Sequence, residues 1–524
     1  MSSSPKRLGG IGALFFLTTL GVISFYVQRQ TLPDVNQPLR KPVTHVAAAP
    51  AEPEPIVPAL PWKDRLDLSA RTLVAVDQPS LPTVNGRAAV ATDPAEPTSG
   101  LYVQDLGDGH RLLYTLDPVL QDSIEQIFRN REVPYAGAVA LDLRDNAVLA
   151  MVGHSTHDPQ VDPLEVVTTA WAPAASVFKL VTTAALLGTH EVSPSSKKCF
   201  HDGLRGITDD LLVDNPKLDT RCNTLSTAVT RSLNVVIAKL ALSHLDEATL
   251  RRTAHALQFE QDIPFEFRVE PSPAHLPEEP KERAKVAAGF WHVDLSPIHA
   301  ALLASILARD GLYQPPHALA HILGPQDEDL TPAPAAARRV IAADVARALR
   351  PMMVNVTLRG TAKDSFVDRK GRRFINQVDV AGKTGSLTGK RPPALNYNWF
   401  VGYAPADAPE VAFAVVLANE PKWRIKAHYV GRRIVQVYLG RREAITGHRS
   451  ARLTRLGVVQ PRRDRKTGAI VAKARPEGGH SGAETGAETV GAGAELEDLP
   501  DPTAALPPVP GPLPSPTPAS PSPS

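Results

Sequence analysis

Proline sets the outer limits of what this chain can pack. Its 50 prolines crowd into residues 32–62 and 500–524. Neither a helix interior nor a central strand forms there, because proline lacks the backbone N–H and its ring clashes with the preceding turn. Residues 28–62 read as a semi-rigid, Pro-rich linker. Residues 476–524, rich in Gly, Ala, Pro and Ser, hold too few large apolar groups to offset the entropy of ordering, and a disordered tail is expected. Packed structure is confined to the stretch between, where a hydrophobic content of 43% overall supports a large core.

Ahead of the spacer, Leu8–Val27 is an uncharged run that follows Lys6 and Arg7. Twenty helical residues at ~1.5 Å each span about 30 Å, the thickness of a hydrocarbon core. No Ala-x-Ala pattern follows it, so a retained single-pass anchor is expected rather than a cleaved signal. Residues 1–7 are then a cytoplasmic tip, and everything after Gln28 lies on the outer, periplasmic side of the inner membrane. The only two cysteines, Cys199 and Cys222, would sit in an oxidising compartment. A disulfide between them would add about 3 kcal/mol; two free buried thiols are the alternative. The net charge of +2 selects no polyanion, and nucleic acid is not an expected partner.

Residues 63–110 have short apolar runs cut by Asp, Pro and Gly and read as a small adapter or linker. From Arg111 the punctuation becomes regular. "RLLYTLD" is a strand; Asp117 can cap the next helix, Pro118 suits its first turn, and Leu120, Ile124, Ile127 and Phe128 share a face. "GAVALDLRDNAVLAM" is a hairpin about Arg144-Asp145-Asn146. Helical patterns run from Trp171 to about Arg350. Strands return in "NQVDVAGKTGS", "YNWFVGYAP" and "PEVAFAVVLANE", and "HYVGRRIVQVYLG" is a closing helix. The expected fold is α+β over residues 111–442, an antiparallel sheet flanked by helices plus a mostly helical subdomain. A basic linker, 443–475, comes after it.

Three short stretches carry polar groups that ask for an explanation. In "WAPAASVFKLVTTAALL" a helix would be largely buried, so Lys179 is costly to charge and is a potential base. Ser176 is three residues earlier on the same face, within reach of that amine, which makes it a candidate nucleophile. Ser3/Lys6 and Ser195/Lys198 share the spacing in polar surroundings, and a lysine snorkelling near a helix end is the plain alternative. In "TAVTRSLNVVIAKLAL", Ser232 and Asn234 bracket a leucine before an apolar helix; they can point into a cleft, or Ser232 can simply cap that helix. In "VAGKTGS" a strand ends in Gly382, Lys383, Thr384 and Gly385. An extended peptide could add to that edge with its carboxylate near Lys383 and Thr384. A second copy of the tripeptide, Lys466-Thr467-Gly468, has no apolar strand before it and reads as solvated tail.

In this order the chain resembles the penicillin-binding, active-site-serine D,D-transpeptidase superfamily: "SVFK", then "SLN", then "KTGS". The resemblance covers about residues 111 to 440. It takes in "LLYTLDPVLQDSIEQ", "GFWHVDLSPIHAALLASILARDGLYQPP", "RGTAKDS" and "NWFVGYAP", and matches a monofunctional, class B-like member with a reduced N-terminal region. It implies the penicillin-binding/β-lactamase-like fold. It also implies that Ser176 attacks the penultimate D-Ala of a peptidoglycan stem peptide, with Lys179 as base and Ser232 as proton relay. Asn234 would hold the substrate amide, and Lys383 and Thr384 the terminal carboxylate. The N–H groups of Ser176 and Ser386 would form the oxyanion hole beside Gly385. β-Lactams would acylate the same serine, no cofactor or metal is implied, and a polytopic glycan polymerase is a candidate partner.

The stretch before residue 111 is too short for a separate glycosyltransferase domain or a full pedestal. "PAAS" departs from the family's "PGS" or "PAS", and Ser386 replaces a threonine. No deacylating Glu-x-x-Leu-Asn follows the second motif, which argues against a class A β-lactamase, and Asn234 argues against class D. A D,D-carboxypeptidase differs only in taking water as acceptor. A non-catalytic scaffold for cell-wall machinery would need neither the serine nor the two lysines. His154 and His157 lack the partners that would complete a metal site.

Overall fold

The computed structural model describes residues 62–75, 100–204, 206–389, 395–421, 425–455, 462–463 and 470–471. The expected tip, anchor, Pro-rich linker and tail lie outside the described residues, apart from Trp62. Contacts divide the chain into two units, 1–60 and 61–524, and only the second contains described residues. No described helix is long and apolar enough to cross a membrane.

The described chain opens with β1 (Thr72–Ala75), β2 (Gly100–Asp105) and β3 (Arg111–Tyr114). Helix α1 (Pro118–Asn130) comes next, capped by the Asp117 carboxylate, which accepts from the Leu120 N–H, and begun by Pro118. Leu120, Ile124 and Phe128 are buried as their spacing requires. Then come the hairpin β4 (Tyr135–Asp142) and β5 (Ala147–Ser155), and the short α2 (Pro163–Thr168). Both hairpin strands are buried along most of their length, because helices cover both faces of the sheet they join.

The middle of the chain is mostly helical. It runs through β6 (Ala172–Pro173), a 3-10 turn at Ala175–Val177, α3 (Lys179–Gly188), β7 (Lys197–Phe200), β8 (Arg221–Thr224), α4 (Leu225–Arg231), α5 (Asn234–His244), α6 (Glu247–Ala256) and α7 (Pro280–Ala287). After β9 (Asp294–Leu295) comes α8 (Pro297–Ala308), in which every residue is buried. Short strands β10 (Leu312–Tyr313), β11 (Leu319–Leu323) and β12 (Arg338–Arg339) precede α9 (Ala343–Leu358) and α10 (Lys363–Phe366). The chain then returns as β13 (Ala381–Thr388), β14 (Asn396–Ala404) and β15 (Val411–Asn419), closes with α11 (Ala427–Arg455), and adds a small pair, β16 (Arg462–Arg463) and β17 (Ile470–Val471).

The main sheet is antiparallel, in the order β13-β14-β15-β4-β5, and so combines both ends of the domain. One core, built around α8 and α3, lies on one face; α1, α10 and α11 pack on the other. β13 is an edge strand, paired only with β14 among the described residues. A second sheet, β1-β2-β3-β11, joins residues on both sides of position 110. The Tyr114 hydroxyl donates to Gln104 Oε1 at 2.8 Å across that position, so residues 62–75 and 100–110 share a sheet and a core with the rest of the domain. The closing helix runs past residue 442 to Arg455.

Candidate active site

The nucleophile candidate is set by backbone before side chains. Ala172 and Pro173 do not begin a helix; they pair with Leu295 and Asp294 in β6 and β9. The Ala174 N–H donates to the Val293 carbonyl at 2.8 Å, and Ala175 then takes φ 49°. That conformation is costly for a residue with a Cβ. It turns the chain so that Ser176 leads into α3, whose residues from Lys179 to Leu187 are all buried. Gly289, at φ +90°, lies against this turn, and a Cβ on it would sit 2.4 Å from the Ala175 carbonyl oxygen. A glycine is required there both by its conformation and by the close approach.

Lys179 is fully buried. Its Nζ lies 2.7 Å from Ser176 Oγ and 2.8 Å from Asn234 Oδ1, and it also bonds the Ala288 carbonyl. Burial holds its pKa well below the ordinary lysine value, and the nearby charge of Lys383 pushes in the same direction. A neutral amine has two hydrogens and one lone pair. The two carbonyl oxygens can only accept, so they take the hydrogens and turn the lone pair toward the one neighbour able to donate, the Ser176 hydroxyl.

The second amine belongs to the edge strand. Lys383 is also fully buried, donates to Ser232 Oγ at 3.0 Å and to the Thr384 carbonyl at 2.8 Å, and burial lowers its pKa to about 7. Ser232 does not cap α5. It ends α4 in the left-handed conformation, φ 56°, and accepts from Lys383, while Asn234 opens α5 and faces Lys179. Two residues of one turn therefore serve two different lysines. Thr384 Oγ1 is 2.5 Å from Thr361 Oγ1. Gly385 faces the nucleophile turn, where a Cβ would come within 3.2 Å of the Ala174 carbonyl. Ser386 Oγ accepts from Asn398 at 3.0 Å, and Asn398 in turn accepts from the Ala427 N–H at 2.7 Å, tying the strand to the start of α11.

Ser176, Lys179, Ser232, Asn234, Lys383, Thr384, Gly385 and Ser386 thus come together from three separate parts of the chain. Cys199 and Cys222 form a disulfide across β7 and β8. Sequence reasoning missed the Ala288 carbonyl, Ala175, Thr361 and Asn398. Thr361 lies in "RGTAKDS" and Asn398 in "NWFVGYAP", both legible as segments though not as contacts. His154 stacks near Phe128 and His157 near Tyr135. Among the described residues no group of three His, Cys, Asp or Glu side chains is placed to hold a metal.

The arrangement is that of a serine hydroxyl bonded to a buried amine, beside a second buried amine on a strand at the sheet edge. A profile of the penicillin binding protein transpeptidase domain matches residues 136–435, more than half of the chain. The chain belongs to that family. It is 25% identical over 340 residues to the peptidoglycan D,D-transpeptidase PbpA of Mycolicibacterium smegmatis, a match covering 58% of this chain and 66% of the relative. To PbpA of Mycobacterium tuberculosis it is 27% identical over 319 residues, 55% of this chain and 62% of the relative. It therefore spans just under two thirds of the length of these relatives. The crystal structure of the M. tuberculosis PBPA aligns with a TM-score of 0.52 at 22% identity, over 65% of this chain and 81% of that one. Penicillin-binding protein 3 of the same organism gives 0.54 at 19%, over 65% and 81%. These structures share the mixed fold of antiparallel sheet and helices.

Proposed function

We propose that the protein is a peptidoglycan D,D-transpeptidase that cross-links stem peptides through an acyl-enzyme on Ser176. One observation carries the reading: Lys179 is fully buried with its Nζ 2.7 Å from Ser176 Oγ. In the first half-reaction Ser176 Oγ bonds to the carbonyl carbon of the penultimate D-Ala as Lys179 takes its proton. The oxyanion faces the Ser176 and Ser386 N–H groups. The C–N bond then breaks and the departing D-Ala amine takes a proton, relayed by Ser232. In the second half-reaction an amine of a neighbouring stem attacks the ester, loses a proton and frees Ser176.

Asn234 holds the substrate amide while it orients Lys179. Lys383 and Thr384 hold the terminal carboxylate of a donor peptide laid along the free edge of β13. Penicillin-binding protein A of M. tuberculosis forms acyl-enzymes with imipenem and penicillin G, which supports β-lactams as ligands of Ser176 here. Leu8–Val27 serves as the membrane anchor, with the catalytic domain on the outer side and a polytopic glycan polymerase as a partner in the membrane. The fractionation of the full chain with membranes, and its loss on deleting residues 8–27, tests the anchor.

The test of function is covalent labelling by a fluorescent penicillin, followed by turnover of a D-Ala-D-Ala stem peptide with and without an added amine. Labelling lost in Ser176→Ala and kept in Ser195→Ala, with a cross-linked product, is the expected result. Turnover that yields only the hydrolysed peptide at high amine concentration would make the protein a carboxypeptidase. Labelling retained in Ser176→Ala would remove the proposed nucleophile.

A further inference from the structure

The disulfide closes a segment, residues 199–222, that supplies no group to the constellation around Ser176. It nevertheless touches both elements that hold Lys179. On one side, the Gly203 carbonyl accepts from the N–H of Val235 at 3.2 Å, one residue after Asn234. Gly203 has φ +83°, and a Cβ on it would come within 2.9 Å of Val235 Cβ, so the segment sits directly on the first turn of α5. Further along the same helix Lys239, 1% exposed, donates to the Cys199 carbonyl at 3.1 Å and to Asp219 at 2.7 Å. Asp219 also accepts from the Asn215 N–H at 2.9 Å and lies 2.6 Å from His201 Nδ1. On the other side, Asp209 pairs at 2.7 Å with Lys285 of α7, the helix that ends at Ala287, one residue before the carbonyl that Lys179 bonds.

The geometry gives this segment a task. Lys179 aims its lone pair at Ser176 only while two carbonyl acceptors are held, one from the start of α5 and one from the end of α7. No single element carries both. Phe200 and Leu212 anchor the segment in the main core, and closing it by a disulfide further narrows the arrangements that its polar contacts to α5 and α7 can sample. A small displacement of a catalytic group costs orders of magnitude in rate.

We propose that the disulfide-closed segment 199–222 is a positioning element for the Lys179 base, and that opening the Cys199–Cys222 bond slows acylation of Ser176. Lys239, Asp219 and Asp209 are positioning residues in this account. It rests on the reading of Lys179 as the base for acylation. The opening step is reduction by a dithiol such as dithiothreitol, which gives two electrons and two protons to the sulfur pair and becomes a cyclic disulfide itself.

The experiment measures the acylation rate of the full chain at saturating fluorescent penicillin in three states: as isolated, after dithiothreitol, and after reoxidation. Cys199→Ser/Cys222→Ser and, with the disulfide intact, Asp209→Asn are measured beside it. The expected result is a fall of about tenfold in the rate constant on reduction, with the final labelled fraction retained and the rate restored by reoxidation. The double variant is slow under all three conditions, and Asp209→Asn shows a smaller fall. A disulfide that only stabilises the fold would instead lower the labelled fraction and leave the remaining molecules fast, which overturns the proposal. So does an unchanged rate once thiol titration finds two free cysteines. Wild-type protein that never labels would sink the transpeptidase reading, and this proposal with it.

Discussion

Lys383 carries a cost that its neighbours do not offset. It is fully buried with no carboxylate among the described residues bonded to it, and its pKa falls to about 7 against about 10.5 in the unfolded chain. Between those values the unfolded chain holds a proton that the folded protein does not, so stability rises as pH climbs from about 7 to about 10.5 and the penalty is complete below 7. Lys383→Met should therefore stabilise the protein at pH 7 while abolishing turnover. The upper bound is about 5 kcal/mol, and the lost hydrogen bonds bring the expected gain to about 2. Urea melts of both proteins across pH 7 to 10 check this: the advantage must shrink as pH rises, and a variant less stable than wild type at pH 7 removes the argument. Gly289→Ala tests the backbone on the other side of the site. The added Cβ would meet the Ala175 carbonyl at 2.4 Å, and the left-handed backbone adds its own strain, so stability should drop by about 2 kcal/mol. Penicillin labelling should slow as well, because the displaced carbonyl belongs to the residue before Ser176. Labelling at the wild-type rate would mean that the nucleophile turn tolerates the shift.

At the level of elements, the two ends of the domain are joined by a carboxylate with two duties. Asp117 caps α1 through the Leu120 N–H at 2.8 Å, and Arg441 of α11 grips it with Nε at 3.0 Å and Nη2 at 2.9 Å. The side chains are 4% and 15% exposed, so the pair is shielded from the screening that makes surface ion pairs nearly worthless. Asp117→Asn keeps the cap and weakens the pair; Asp117→Ala loses both. Losses of about 1 and about 3 kcal/mol are expected, with Arg441→Met in the Ala background costing less than in the wild type. Additive losses in that cycle, read by chemical denaturation, would show that the Asp117–Arg441 pair contributes nothing to stability. The cap was legible in the sequence because Asp-Pro before an apolar 3.6-residue repeat has one plain structural meaning. The partner was not, since an arginine 324 residues later leaves no local signal. The helix expected to begin at Trp171 begins later, because Ala172 and Pro173 pair with β9 instead. A two-residue strand pair of this kind has no periodicity to read.

For the whole molecule, the sequence singled out the side chains gathered around Ser176 better than the extent of the fold around them. Ser176 and Lys179 stood out because a buried lysine in an apolar segment demands an explanation, and Lys383 because it ends a strand at an edge where an extended peptide could add. The Ala288 carbonyl and the Ala175 turn are backbone features, which residue identity does not announce. The same holds for the start of the domain. Residues 63–110 read as an adapter because β1 and β2 are short and cut by turns, yet Gln104, 4% exposed, bonds both Tyr114 and the Arg65 carbonyl, and Trp62 is buried in the main core. A chain that begins at Arg111 would lose Trp62 and leave β3 with an unpaired edge and the Tyr114 hydroxyl without its acceptor. Compared with a chain of residues 62–455, it should melt at lower temperature, elute partly as aggregate, and give a smaller fraction labelled by penicillin while the labelled molecules react at the same rate. Equal melting and a single monomer peak would place the boundary of the folding unit at residue 111, and would mean that β3 and β11 hold the second sheet together without β1 and β2.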